Sequence, residues 1–215
     1  MLKNLLLSAL GCMLLHFPVK AQLEKGTKYF GGTISFDGTR QKSPGTLGNK
    51  IHTININPSL QFGTFIKDNR LIGIGIGTNN SITKGSVENP SGTDKFTRSD
   101  NSYYLAPYIR HYKPLGAKWA MFLTSSAQVA WLNNKTKIGT INDSENGFSV
   151  GLNIRPGIAY WITSRFSLES DINLLSLNAG YKDIADRQDF SFSSGVTSNF
   201  NSYLSVRASW YFKKQ

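Results

Sequence analysis

Residues 51–66 read Ile51-His52-Thr53-Ile54-Asn55-Ile56-Asn57-Pro58-Ser59-Leu60-Gln61-Phe62-Gly63-Thr64-Phe65-Ile66. Ile54, Ile56, Pro58, Leu60, Phe62 and Ile66 share one parity, with Thr64 the exception; Thr53, Asn55, Asn57, Ser59, Gln61 and Gly63 share the other. Successive side chains of a strand point to opposite faces, so the stretch reads as a ribbon apolar on one side and small and polar on the other. The same period returns along the chain. Over 71–78, Ile72, Ile74 and Ile76 alternate with Gly73, Gly75 and Gly77. Over 147–162, Phe148, Val150, Leu152, Ile154, Pro156, Ile158, Tyr160 and Ile162 oppose Ser149, Gly151, Asn153, Arg155 and Gly157. Weaker versions occupy 28–37, 102–112, 119–132, 165–175 and 202–212, and helical spacing is almost absent.

The connections alternate too. Lys67-Asp68-Asn69, Lys113 to Lys118 and Thr163-Ser164 read as tight turns, whereas 38–50, 79–101, 133–146 and 178–200 read as long polar loops. Strict exchange of short and long predicts an up-and-down meander with every long loop at one end. Pro58, Pro107 and Pro156 are spaced 49 residues apart, one in every second strand, as a repeat of two strands and two connections requires. Open edges on such a sheet invite aggregation, and closure removes them. The expected fold is therefore all-β, an eight-stranded antiparallel up-and-down barrel. Each proline lacks an N–H for the ladder, so bulges or missing bonds are expected at Pro107 and Pro156.

Composition removes other classes. An aromatic content of 12% supplies ample surface to bury, which excludes a disordered chain. Beyond the first 20 residues no run of about 18 apolar residues exists to form a membrane helix. The only cysteine, Cys12, excludes a disulfide framework. Met1–Ala21 has an early Lys3, an apolar stretch and Val19-Lys20-Ala21 before Gln22, the layout of a secretory signal peptide. A lipoprotein signal on Cys12 fits less well, because Ala9 stands three residues before it and the apolar run continues past it. Cleavage after Ala21 is expected, leaving 22–215 as the barrel domain with 22 basic and 13 acidic residues, a net charge of +9, and no cysteine.

Parity alone does not say which face is outside. A soluble barrel buries its apolar face; an outer-membrane barrel turns it to lipid. Aromatics of the apolar face gather near strand ends: Tyr103, Trp119, Trp131, Phe148, Tyr160, Trp210 and Phe212, with aliphatics between. Amphipathic rings favour the two headgroup levels of a bilayer, which predicts two girdles. The other face is rich in Gly, Ser, Thr and Asn with few charges, as suits a crowded lumen. With the signal peptide, these features predict a transmembrane barrel.

The pieces Ala106-Pro107-Tyr108-Ile109-Arg110-His111-Tyr112, Lys113-Pro114-Leu115-Gly116 and Ser205-Val206-Arg207-Ala208-Ser209-Trp210-Tyr211-Phe212 resemble the small outer-membrane β-barrel domain family of Gram-negative bacteria. That family is similar in architecture to the transmembrane domain of outer-membrane protein A, and the resemblance spans essentially the whole mature chain. It implies residence in the bacterial outer membrane and contact with its lipid. It also implies insertion by machinery that recognises a terminal strand ending in an aromatic; here Phe212 is followed by Lys213, Lys214 and Gln215.

Parity points Arg110, Arg155 and Arg207 into the lumen, with Glu169 and Asp171 from the strand between those of Arg155 and Arg207. Breaking a buried ion pair costs about 3–5 kcal/mol, so pairing is expected, with Arg155 and Arg207 flanking the two acids. Such a network serves either as a gate in a narrow pore or as a plug that fixes register. Eight strands enclose little more than their own side chains, which favours the plug. Gly73, Gly75 and Gly77 would make room for large Arg and Tyr side chains opposite.

Other chemistry finds little footing. One lipid A deacylase on a similar scaffold uses His and Ser two residues apart on the lipid-facing side; His52 lies near a long-loop end but position 54 is Ile, and His111 lies near the short turns. A base without a neighbouring nucleophile is not a catalytic arrangement, so no catalytic residues, enzymatic activity or cofactor are expected. No Cys/His cluster offers a metal site, and Gly73-x-Gly75-x-Gly77 sits within a strand rather than before a helix. Basic residues are scattered through loops and turns (Lys42, Lys50, Lys84, Lys95, Lys135, Lys137, Lys182), which fits ordinary solvated loops or contact with lipopolysaccharide headgroups rather than nucleic acid. Phe190, Phe192 and Phe200 give the last loop apolar groups, to contact an extracellular ligand or to cap the barrel mouth.

Overall fold

The computed structural model describes residues 23–42, 50–89, 92–172, 176–184, 187–195 and 204–213; the expected signal peptide and Phe200 lie outside them. The described residues form strands and no helix. In chain order the strands are β1 (Lys28–Lys42), β2 (Lys50–Lys67), β3 (Arg70–Asn89), β4 (Gly92–Pro114), β5 (Trp119–Ile138), β6 (Ile141–Thr163), β7 (Phe166–Ile172), β8 (Ser176–Ile184), β9 (Arg187–Gly195) and β10 (Leu204–Phe212). Consecutive strands pair antiparallel from β1 to β7, β7 pairs with β10, and β10 pairs with β1. The result is a hydrogen-bonded ring of eight strands. Beyond β7, β8 continues along β6, and β9 pairs with β8.

The expected long loops are largely strand. Residues 79–89 pair with 92–102, and 132–138 with 141–147, joined in the second case by a tight turn with Gly139 at φ 57°. Residues 177–184 pair with 187–194 in a hairpin of their own. These polar stretches carry no apolar alternation to mark them, but a ladder is held by backbone groups, which need only a partner chain. At the opposite end, the turn before β3 holds Asn69 at φ 60°, the left-handed conformation that Asn tolerates.

Prolines interrupt the ladder, at Pro58 as well as at the expected Pro107 and Pro156. Opposite Pro58 the β2–β3 pairing lapses between Ile56↔Asn80 and Ser59↔Gly77 without changing register. Asn80 bridges the gap: its Nδ2 donates to the Ile56 carbonyl and its backbone N–H to Asn57 Oδ1, both at 3.2 Å. Opposite Pro107 the β4–β5 pairing lapses between Leu105↔Val129 and Tyr108↔Ser126. Pro156 lies where β6 passes from β8 to β7. Two residues separate Ile154 from Gly157, but five separate their partners Leu177 and Asp171; β7 answers the strand expected over 165–175, and β8 is a further strand in what was expected to be mostly the long loop 178–200.

Burial assigns the faces. Ile72, Ile74 and Ile76, Leu105 and Ile109, and Met121, Leu123 and Val129 are all exposed on the outer face. Arg110, Glu169 and Ser209 are fully enclosed within the ring. The aromatic residues Tyr103, Trp131 and Phe148 stand in one cross-strand row on the outer face. Trp119 and Tyr160 pack at 4.6 Å near the tight turns, close to the Phe30–Trp210–Phe166 cluster and the end of β10 at Phe212. These aromatics thus lie in two groups, with aliphatic residues such as Leu123 and Val129 between them on the outer face.

Inside, a cluster of Leu23, Tyr29, Phe65, Leu71, Tyr108, Tyr112, Phe122, Trp161 and Tyr211 fills the tight-turn end. The chain before β1 folds beneath it, Leu23 accepting from the Asn69 N–H at 2.8 Å and the Lys25 N–H donating to Asp68 Oδ1. Two glycines of β3 are needed here. A Cβ at Gly73 would lie 2.6 Å from the Tyr108 hydroxyl, which crosses over β3 to donate to the Phe62 carbonyl of β2. One at Gly77 would lie 2.5 Å from the Tyr104 hydroxyl, whereas one at Gly75 would meet nothing nearer than 3.5 Å. Gly73→Ala and Gly77→Ala should each destabilise the fold by about 1–3 kcal/mol, as overpacking does. Gly75→Ala should leave it unchanged or stabilise it by up to about 1 kcal/mol. Urea unfolding followed by tryptophan fluorescence measures the difference.

Candidate functional site

The interior gathers around one carboxylate. Glu169, on β7, is buried and accepts five hydrogen bonds. To Oε2 come the Tyr29 hydroxyl at 2.8 Å, Arg110 Nη1 at 2.6 Å and Arg207 Nη1 at 3.1 Å. To Oε1 come the hydroxyls of Tyr112 and Tyr211, each at 2.7 Å. Its donors arise on β1, β4 and β10. Ala159 and Arg207 are its direct cross-strand neighbours, and the small Ala159 leaves the interior open for Glu169 to reach across.

Arg110 completes the circuit. Its Nε donates to Thr124 Oγ1 of β5 at 2.9 Å and its Nη2 to Gln61 Oε1 of β2 at 2.9 Å; Nη1 also reaches the hydroxyls of Tyr29 and Tyr112. Its guanidinium lies 4.7 Å from the Phe122 ring centre and 5.3 Å from that of Tyr108, a cation–π setting. Arg207 spans both acids, with Nη2 donating to Asp171 Oδ2 at 2.5 Å. Two guanidinium groups thus balance two carboxylates, and strands β1, β2, β4, β5, β7 and β10 are tied by side chains as well as by ladders.

The expected flanking pair is corrected. Arg207 does hold both Glu169 and Asp171, but Arg110 from across the ring takes the second place and Arg155 does not. Arg155 stands opposite Thr124 on β6 and donates to Asn153 Oδ1 at 3.3 Å; among the described residues it forms no ion pair. The reason is register. The β6–β7 pairing runs only from Gly157↔Asp171 toward the tight turn, which leaves Arg155 beyond the acids, beside the break in the strand. Sequence reasoning considered adjacent strands, whereas side chains in a narrow ring reach across it. It also missed Tyr29, Tyr112, Tyr211, Gln61 and Thr124. The parity signal was present: Tyr112 is two residues from Arg110 and Tyr211 four from Arg207, on the same faces.

Above the network a cavity of about 80 Å³ is lined by Gln61, Gln128, Arg155 and Asp171 among others. That is room for a few waters. Toward the far end it gives way to a polar vestibule of about 480 Å³ that includes Asn57, Ser81, Asn134 and Lys182. Within the vestibule Arg98 pairs with Asp100 at 2.9 Å. His52 faces outward on β2 between Arg40 and Lys84, and His111 faces outward near the tight turns between Arg70 and Leu123, so the two histidines are not brought together. Among the described residues no three His, Cys, Asp or Glu side chains form a metal-binding group. Phe190 and Phe192 stand exposed on β9.

No family model matches the chain, and no curated protein matches it.

Glu169→Ala leaves two buried guanidinium groups with one carboxylate between them. It should lower the unfolding free energy by about 3–5 kcal/mol, while Arg155→Met, which breaks a single polar contact, should cost less than about 1.5 kcal/mol. A pair of urea titrations on the two variants decides it; equal losses would restore Arg155 to the network.

Proposed function

We propose that this protein is an eight-stranded transmembrane β-barrel of the bacterial outer membrane, similar to the small outer-membrane barrel family. In this reading it is a non-enzymatic envelope protein whose interior is a plug and whose protruding hairpins meet the cell's surroundings. One observation carries the proposal: the ring is apolar outside and charged inside, the reverse of a soluble barrel. Exposing so many Ile, Leu and Val side chains to water would sacrifice most of the hydrophobic driving force for folding.

The dimensions support the same reading. Trp119 and Trp131 mark the two aromatic belts on β5 and are twelve residues apart. At about 3.3 Å per residue and a tilt near 40°, they are separated by roughly 30 Å along the axis, the thickness of a bilayer's hydrocarbon core. In hydrocarbon every backbone polar group must be satisfied within the protein, which a closed ring achieves. The Glu169 network and the aromatic layer beneath it occupy the interior at the tight-turn end, which favours the plug over a solute channel. The β3–β4 and β5–β6 hairpins continue past the upper belt and offer surface for an extracellular ligand, whereas Phe190 and Phe192, exposed on β9, share rows through β8 with Val150 and Leu152.

Under this proposal the protein fractionates with outer membranes, requires detergent for extraction, and migrates differently on gels before and after boiling. Reconstituted in planar bilayers, it should show no stable single-channel steps. Recovery of folded protein from an aqueous extract would overturn the membrane reading; large, stable conductance would overturn the plug alone.

A further inference from the structure

Five cationic or imidazole side chains share the outer face of the ring on β1–β4, just beyond the apolar band. Arg40, His52 and Lys84 stand in one cross-strand row, because Arg40 pairs with His52 and His52 with Lys84. One step farther from the band, Lys50 pairs with Ser86 and Ser86 with Lys95. All five are exposed and line a single depression of about 400 Å³ with Ser86. Among the described residues none of them forms an ion pair. Within each row the cations stand two strands apart, on either side of His52 or Ser86, and the two rows together concentrate positive charge that a multivalent anion can neutralise.

The same strands carry a second feature nearer the middle of the band. Where β1, β2, β3 and β10 meet, the outer surface sinks into an apolar groove of about 900 Å³, whose lining includes Gly32, Ile34, Leu60, Ile76 and Ala208. Small residues at Gly32 and Ala208, which pair with one another, create the depression. Along β2 the outward sequence from cations to groove is His52, Ile54, Ile56, Pro58, Leu60. Six residues from His52 to Pro58 span roughly 20 Å of strand, or about 15 Å along a tilted axis, the depth of one leaflet.

We infer that this face is a binding site for a phosphorylated, multiply acylated glycolipid of the lipid A type. The Arg40–His52–Lys84 row and the Lys50–Ser86–Lys95 row would hold its phosphates while an acyl chain descends past Ile54 and Ile56 into the groove. The two rows favour a lipid with two phosphates over a glycerophospholipid with one. Charge complementarity names the headgroup, and the groove one leaflet below requires the chain. The inference rests on the membrane-barrel reading and goes beyond it by assigning a site and a ligand class.

The test uses the detergent-folded protein, with heat-modified gel mobility recorded on every sample, and native mass spectrometry against four probes. These are diphosphoryl lipid A, its monophosphoryl form, phosphatidylglycerol and inorganic phosphate. One diphosphoryl lipid A should bind per chain. Removing a phosphate should weaken it about tenfold or more, and phosphatidylglycerol and inorganic phosphate should compete poorly. Lys50→Gln/Lys84→Gln/Lys95→Gln should weaken lipid A binding at least about tenfold. Gly32→Leu should do so without touching a charge, since a Cβ at Gly32 meets only Leu60 Cδ2 at an ordinary 3.6 Å. Equal binding of phosphatidylglycerol, competition by inorganic phosphate alone, or unchanged binding in the triple variant would overturn the site. A heat-modifiable protein that binds none of the probes defeats this inference and leaves the barrel standing; a protein that folds without detergent defeats both.

Discussion

A carboxylate enclosed within a ring of strands cannot remain charged without donors, and Glu169 receives five of them from three other strands. The remainder of the interior follows from meeting that requirement. Arg110 reaches across from β4 to supply one donor, and in doing so places its other nitrogens against Thr124 on β5 and Gln61 on β2. Arg207 supplies another and has Asp171 as its second partner. Tyr29, Tyr112 and Tyr211 turn their hydroxyls upward to the carboxylate and leave their rings in the aromatic layer below. A polar hub and an apolar floor are thus built from the same side chains.

Such a hub constrains register in a way that ladder hydrogen bonds do not. A backbone ladder is nearly indifferent to sliding by two residues, since the same face still points inward. A slip of two on β7 would exchange Glu169 for Ser167 or Asp171 beneath Arg110, and would strand a buried guanidinium at a cost of several kcal/mol. The ion network therefore selects one alignment from several that parity alone would permit. Gly73 and Gly77 act in the same sense, because the Tyr108 and Tyr104 rings fit only over those positions.

Much of this was legible in the chain. Period-two alternation over 51–66, 119–132 and 147–162 marked the strands and their two faces, because the outer face of those stretches is predominantly apolar. Pro107 and Pro156 marked places where the pairing is disturbed, since a missing N–H is a local property, and Pro58 adds a third that was not foreseen. What failed to show were features defined by reach. The hairpin extensions over 79–102 and 132–147 are held by backbone groups and carry no side-chain period. Arg155 and Arg110 have the same inward parity, and only the register at the Pro156 break distinguishes them. The five partners of the charged groups were visible as inward residues, but their convergence depends on how narrow the ring is.

The break in the seventh strand connects interior and exterior. Below it, β7 presents Glu169 and Asp171 to the hub, and the side chains close the ring. Above it, β8 leaves that alignment and pairs with β6 and β9 as far as the upper aromatic row, Asp183 standing opposite Phe148, while the interior opens into the vestibule near Asn57 and Lys182. A continuous β7–β8 strand would keep one register throughout and carry the constraints of the hub into the hairpins. The change of partner between Ile154↔Leu177 and Gly157↔Asp171 gives the two halves separate registers. The lower half is thereby set by buried charge and tyrosine packing, and the upper half is free to follow surface chemistry: amides and hydroxyls inward, and cations on β1–β4 and aromatics on β9 outward.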